Sequence, residues 1–165
     1  MFKFIGSIFI IFSFSFAGLQ ISYHQKKRCN NLLKLIRLTK YVYSEAAFTK
    51  KRAYLILNEA ATLYNLDFLV DVCKKMKYNG VNESFKQSLK NHSRVMALSN
   101  NDIIAASGIS SIFSYINDEQ KSNADSVLKL LELSLNEATL NYDKNAKLIR
   151  SSGILFGILA VIILF

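Results

Sequence analysis

From Phe4 to Tyr23 the chain reads FIGSIFIIFSFSFAGLQISY, twenty residues without a charge. At 1.5 Å per residue this run makes about 30 Å of helix, the thickness of a hydrocarbon core. A second apolar run, SSGILFGILAVIILF, extends from Ser151 to Phe165. Its fifteen residues give only about 22 Å of helix, short of an ordinary span, and Arg150 at its edge must snorkel to the interface. Lipid offers the backbone no partners, so a lone apolar segment crosses it only as a helix. The expected organisation is a transmembrane helix at 1–23, a body at 24–150 and a transmembrane helix at 151–165.

A cleaved signal peptide is the rival reading of the first run, with Lys3 ahead of it and the small pair Ala17-Gly18 within it. Two features oppose that reading. The apolar run continues to Ile21 and Tyr23, and the strongest cationic cluster, Lys26-Lys27-Arg28, follows the run. Positive charge there holds the following segment in the cytoplasm. Lys144, Lys147 and Arg150 flank the second run on the same side. Both ends predict a two-pass protein with its termini outside and its body cytoplasmic.

The body should be helical throughout. The chain has no proline and only six glycines in 165 residues, which suits long helices joined by short loops. Its net charge is +9, from 21 Lys and Arg against 12 Asp and Glu, and all the cations but Lys3 lie between the apolar ends. A basic body can bind nucleic acid, but here the lysines come without a groove-binding motif, so the charge reads first as a topology signal. Cys29 and Cys73 form no Cys-x-x-Cys spacing and are too few to staple a secreted fold. Cys73 shares an apolar stripe with Leu69 and Met76, as a buried reduced thiol would.

Helical spacing places Cys29, Leu32, Ile36, Tyr43 and Ala47 on one side of a helix over 24–48. A second helical region is expected over 53–78, stopping at Asn79-Gly80, and a short third begins near Asn82 with Phe85 and Leu89 one turn apart. Ser99 and Asp102 resemble a capping box for a fourth helix through Ile103 and Ile104. Asn117 and Gln120 form a similar start signal for the last helix. There Ala124, Leu128, Leu131, Leu135, Ala138 and Tyr142 recur at steps of four and three, a coiled-coil-like seam. Packing within the chain, against the 24–48 helix, is preferred to a seam between protomers.

The residues supply no catalytic constellation. Six Asp and six Glu are scattered along polar faces, and His24 and His92 lie far from each other and from any carboxylate cluster. No Ser-His-Asp arrangement, phosphate-binding glycine loop or His-Glu metal spacing occurs. No enzyme, cofactor, metal or small-molecule substrate is expected. Gly108, isolated in a helical stretch, marks a close helix crossing or a boundary. Gly153 and Gly157 share a helix face that would admit a partner helix, although glycine is also common in membrane helices. From Lys26 to Arg52 nine cations oppose only Glu45. A solvated surface facing lipid headgroups is the ordinary account of them. Docking of a protein partner through the compact set Lys50, Lys51 and Arg52 is the sharper one.

The order of these features resembles the stage III sporulation protein AB family of endospore-forming bacteria. The likeness runs from Lys3, Gly6 and the Ala17-Gly18 pair to the basic exit at Lys26–Arg28, then through Glu45 in the leucine-rich helix and Ser84-Phe85 to Leu89. It continues with Leu98 to Asp102 ahead of Gly108 and with Gln120, and ends in LIRSSGILFGILAVIILF. Lys51-Arg52-Ala53 replaces a threonine-proline-leucine turn usual in that family, and Ile112 and Tyr115 replace a glycine and an aspartate. The resemblance implies a bundle of about six helices, similar to the cytoplasmic F domain of type II secretion and type IV pilus platform proteins. It implies a non-enzymatic scaffold in the stage III sporulation A assembly, in the mother-cell membrane around the forespore, with a secretion-type ATPase among its neighbours. The rival classes are an unrelated membrane-tethered binding module for acidic partners or nucleic acid, and a secreted helical protein with a tail anchor.

Overall fold

A computed structural model describes the backbone of residues 2–49, 51–114 and 118–164, and the side chains of most residues from 19 to 144 with scattered positions beyond. Among the described residues there are six α-helices and no strand: α1 (Phe2–Ser44), α2 (Ala53–Tyr64), α3 (Asp67–Lys75), α4 (Val81–His92), α5 (Asn100–Ser107) and α6 (Asp118–Leu164). A π-helical turn, Glu45–Thr49, follows α1, and a 3₁₀ segment, Gly108–Ser114, follows α5. The chain divides into two compact units. One comprises Met1–Cys29 and Glu137–Phe165, and the other Asn30–Asn136.

In the second unit the core is built from short helices wound on each other. Leu32 and Ile36 of the expected stripe are buried, and so are Leu35, Leu38 and Val42, which lay outside it. Tyr43 and Ala47 are only half-buried. The difference arises because α1 is covered over a broader arc than a single seam, and Leu38 and Thr39 are both fully enclosed. Thr39 satisfies its hydroxyl on the Leu35 carbonyl, 2.8 Å away.

The expected single helix over 53–78 is in fact two. Asn65 adopts the left-handed conformation (φ 50°, ψ 65°), its N–H reaches the Thr62 carbonyl, and the Leu66 N–H reaches back to Ala61. This is a Schellman stop, and asparagine tolerates the left-handed basin better than most residues. Leu66 then turns into the core. A second stop of the same kind follows α4. There the Ala97 N–H bonds Arg94, the Leu98 N–H bonds Ser93, and Ala97 itself is left-handed (φ 59°). Two polar side chains one turn apart on α1 hold both corners: Asn31 donates to the Met96 carbonyl at 2.8 Å, and Lys34 to the Asn65 carbonyl at 3.1 Å.

Between the corners α3 and α4 pack tightly. Phe68 and Phe85 meet edge to face, with centroids 5.4 Å apart and planes at 88°. Leu69, Val72 and Leu89 complete that layer, and each fully buried side chain of this size contributes roughly 1.5–3 kcal/mol. Cys73 is a free, buried thiol on the same face, and burial raises its pKa.

α5 starts as expected. The Ser99 hydroxyl accepts from the Asp102 N–H at 3.2 Å, and the Asp102 carboxylate accepts from the Ser99 N–H at 2.9 Å. The helix presents Asp102, Ala105 and Ala106 inward, leaving Ile103 half-buried and Ile104 exposed. Small inward residues permit close approach here. At Gly108, where α5 ends, an added Cβ would lie 2.6 Å from the Val127 Cγ2 of α6. Its φ of −62° is ordinary, so proximity and not backbone freedom requires glycine.

The seam of α6 is buried within the chain at Ala124, Leu131 and Ala138, with Val127 added and Leu128, Leu135 and Tyr142 half-buried. Its described contacts are with the 3₁₀ segment: Val127 against Gly108, and Asn123 donating to Ser111 Oγ at 2.7 Å. Gln120 is buried and donates its amide to the Ile112 carbonyl at 2.9 Å, tying the start of α6 to the 3₁₀ segment. The cap expected at Asn117 lies outside the described residues.

In the first unit Ser22 and Ala138 are buried, while Phe16, Leu19, Ile21, Leu155, Leu159 and Ile162 are exposed. Among the described residues no helix is long and apolar enough to cross a membrane. Most side chains of the expected spans, 1–23 and 151–165, lie outside the described set.

Candidate docking surface

The segment that joins α1 to α2 carries the three cations expected to meet a partner, and its geometry follows from how α1 ends. After Ser44 the helix widens into one π-helical turn. The Thr49 hydroxyl lies against Glu45, 2.5 Å from its carbonyl and 3.1 Å from its carboxylate. Arg52 is extended (φ −64°, ψ 140°) and begins α2 with its carbonyl, which accepts the Leu55 and Ile56 N–H groups.

This path brings Lys51 between two carboxylates. Its Nζ is 3.1 Å from Glu45 Oε2 and 3.0 Å from Glu59 Oε2. Glu59 also accepts from the Tyr41 hydroxyl at 2.8 Å, and Tyr41 rests edge-on against Tyr64 at 6.0 Å. One knot of side chains therefore ties α1, the π-helical turn and α2 together. The hydrogen bonds to Glu59 and then Glu45 raise the pKa of Lys51. Hydrogen bonds from Tyr41 and Lys51 lower that of Glu59. Partial burial, reinforced by the Glu59 carboxylate, pushes the Tyr41 hydroxyl up to about 12.

The three cations consequently have different surroundings. Lys51 is engaged inside the chain, Arg52 is exposed, and Lys50 lies outside the described residues. Exposed apolar side chains adjoin them in sequence: Phe48 on the turn, and Tyr54 and Leu55 on α2. Gly153 and Gly157 belong to α6, but their surroundings are outside the described residues.

Sequence spacing did not reveal the pairing of Lys51 with Glu59, eight residues apart across the start of α2. The one available signal was Glu45, the only carboxylate among the cations up to Arg52. A depression lined by Lys121, Ser122, Asp125, Ser126 and Lys129 runs along one side of α6 and is open to solvent. Among the described residues no three His, Cys, Asp or Glu side chains gather as metal ligands would. Asp71 is held below the usual carboxylate range by Lys75, whose Nζ is 2.9 Å away one helical turn on.

From residue 3 to residue 165 the chain matches stage III sporulation protein AB. It belongs to that family. Family membership assigns the chain a role in stage III of sporulation. No curated protein and no solved structure matches it.

Proposed function

We propose that this protein is a non-enzymatic scaffold of the stage III sporulation A assembly, set in the mother-cell membrane around the forespore with its body in the mother-cell cytoplasm. The observation that carries this reading is the family match over nearly the whole chain, residues 3–165. Its two terminal segments anchor it, which the exposed Phe16, Leu19, Leu155 and Ile162 support, since large apolar side chains facing outward mark a partner or a lipid phase. The flanking clusters Lys26–Arg28 and Lys144–Arg150 favour the cytoplasmic side for the body. The Gly153/Gly157 face receives a neighbouring membrane helix. The Lys50–Arg52 segment, with Arg52 as its exposed cation, docks a cytoplasmic partner, for which a secretion-type ATPase is the expected candidate.

The test is to purify the full-length protein, crosslinked in place, from sporulating cells and to identify what accompanies it. Other stage III sporulation A proteins, the ATPase included, should be recovered, and deletion should arrest development at stage III. Normal spore formation without the protein, or recovery of none of those components, overturns the reading.

A further inference from the structure

Outside the knot at Lys51, a second basic surface is more sharply defined. On α4 the exposed side chains from residue 82 onward are Asn82, Glu83, Lys86, Gln87, Lys90 and Asn91, followed by Arg94 just past the helix. The helical path continues through Ser93 (φ −57°, ψ −41°), and the Met96 N–H still bonds the His92 carbonyl at 2.9 Å. Lys86, Lys90 and Arg94 therefore form a single ribbon at i, i+4 and i+8, with about 6 Å of rise between neighbours. Among the described residues none of the three has an ion-pair partner. The helix dipole accounts for cations near the carboxyl end of α4; it does not account for Lys86 in the middle of the helix.

We infer that this ribbon is a docking face for an acidic helix of a partner protein, one carrying carboxylates at i, i+4 and i+8. Charge complementarity selects the sign, and the spacing selects the form. A helix laid alongside α4 repeats its own side chains at the same 6 Å interval, so three carboxylates meet three cations in register. Gln87 and Asn91, interleaved with the cations, offer directional donors and acceptors that a partner with fixed polar groups can use.

A lipid surface fits less well. A helix lying in the interface needs apolar side chains to insert, and this face exposes none from Asn82 to Arg94. Glu83 at its end would face the same anionic headgroups. Nucleic acid fits less well too, because the face holds no aromatic residue on which a base could stack.

The inference rests on the chain acting as a docking scaffold, but its test needs no other sporulation component. Full-length protein in a neutral detergent is titrated with a fluorescent helix-forming peptide bearing Glu at i, i+4 and i+8. A peptide of the same composition with its Glu residues scrambled serves as comparison. Phosphatidylserine vesicles and single-stranded RNA are the other probes. The ordered peptide should bind several-fold tighter than the scrambled one at low salt. Replacing Lys86, Lys90 and Arg94 together with Gln should weaken it on the order of tenfold, and Lys121→Gln with Lys129→Gln on α6 should not. Unchanged helicity and melting show that the Gln variant folds. Should it fail to fold, the single variant Lys86→Gln gives the same test at smaller amplitude.

Equal binding of ordered and scrambled peptides overturns the proposal, as does absence of binding at low salt. So does a Gln variant that loses vesicle or RNA binding while keeping the peptide. If the peptide result is negative while stage III sporulation A proteins still copurify, this face is wrong and the scaffold role stands.

Discussion

Two regions of the Asn30–Asn136 unit are held in opposite ways. Where α5 gives way to the 3₁₀ segment, the backbone at Gly108 comes so near Val127 that a methyl group would meet it at 2.6 Å, and Leu131 is sealed one turn further along α6. Where α1 gives way to α2, the junction is fastened by Lys51, Glu45, Glu59 and Tyr41, of which Lys51 and Glu59 are open to water. The first junction depends on volume and excludes solvent. The second depends on charge in a medium that screens it, and exposed ion pairs contribute weakly to stability. The fold should therefore tolerate changes at the charged junction that it would not tolerate at the packed one.

The severest challenge to this contrast is Leu131→Asp. It removes a fully buried side chain, which alone costs roughly 2–5 kcal/mol, and leaves a carboxylate without a partner in an apolar site. Against a total stability of about 5–15 kcal/mol, the variant should lose its cooperative melting by circular dichroism. A sharp melt close to that of the parent chain would show that α6 is not packed as described.

Gly108→Ala is a finer probe. Overpacking should cost about 1–3 kcal/mol in chemical denaturation, and Val127→Ala should cost less in the Gly108→Ala background than alone. The two effects are expected to be non-additive by about 0.5–3 kcal/mol, as for residues in contact. Strict additivity would remove the close approach as the reason for glycine.

The smallest effect belongs to the charged junction. Subtracting the alkaline absorbance titration of Tyr41→Phe from that of the parent should isolate one tyrosine with a midpoint at about 12. Glu59→Gln should shift it down only part of the way, because burial is the larger cause. A midpoint near the ordinary 10 would mean that the knot does not form in solution. Because the neutral hydroxyl is the favoured form, its contribution is complete below pH 10 and fades as pH rises through about 12. Glu59 behaves oppositely: its pKa is lowered, so its contribution holds above the ordinary carboxylate range and fades as pH falls through the lowered value. Lys51 is raised and loses its contribution on the alkaline side.

What could be read from the sequence was local. The Ser99–Asp102 box and the Phe85/Leu89 pair depend on neighbours within two helical turns and are where their spacing placed them. The α6 seam is buried at Ala124, Leu131 and Ala138 and only half-buried at its other three positions. The break at Asn65 was hidden because α2 and α3 are both apolar on one side, and a left-handed residue leaves no mark on periodicity. Gln120 was expected as a capping partner of Asn117, which lies outside the described residues; its bond to the Ile112 carbonyl was not legible, since a buried amide binds whichever backbone acceptor the fold brings near. At the candidate surface the composition was legible and the pairing was not. Lys51 precedes α2 and Glu59 lies within it, eight positions on, a separation that neither helical nor strand spacing marks as a pair.

The corner at Ala97 bears on how such a chain drifts through evolution. A left-handed alanine is strained by roughly 1–2 kcal/mol relative to the right-handed basin, which by itself favours glycine there. Yet the Ala97 methyl is almost wholly enclosed, and exchanging it for hydrogen forfeits about 0.8 kcal/mol of burial. Glycine also enlarges the freedom of the unfolded chain by about 0.4–1 kcal/mol. The opposing quantities nearly cancel. Selection acting on stability alone has almost no gradient at this corner, and lineages can pass between alanine and glycine there without the bundle registering the change.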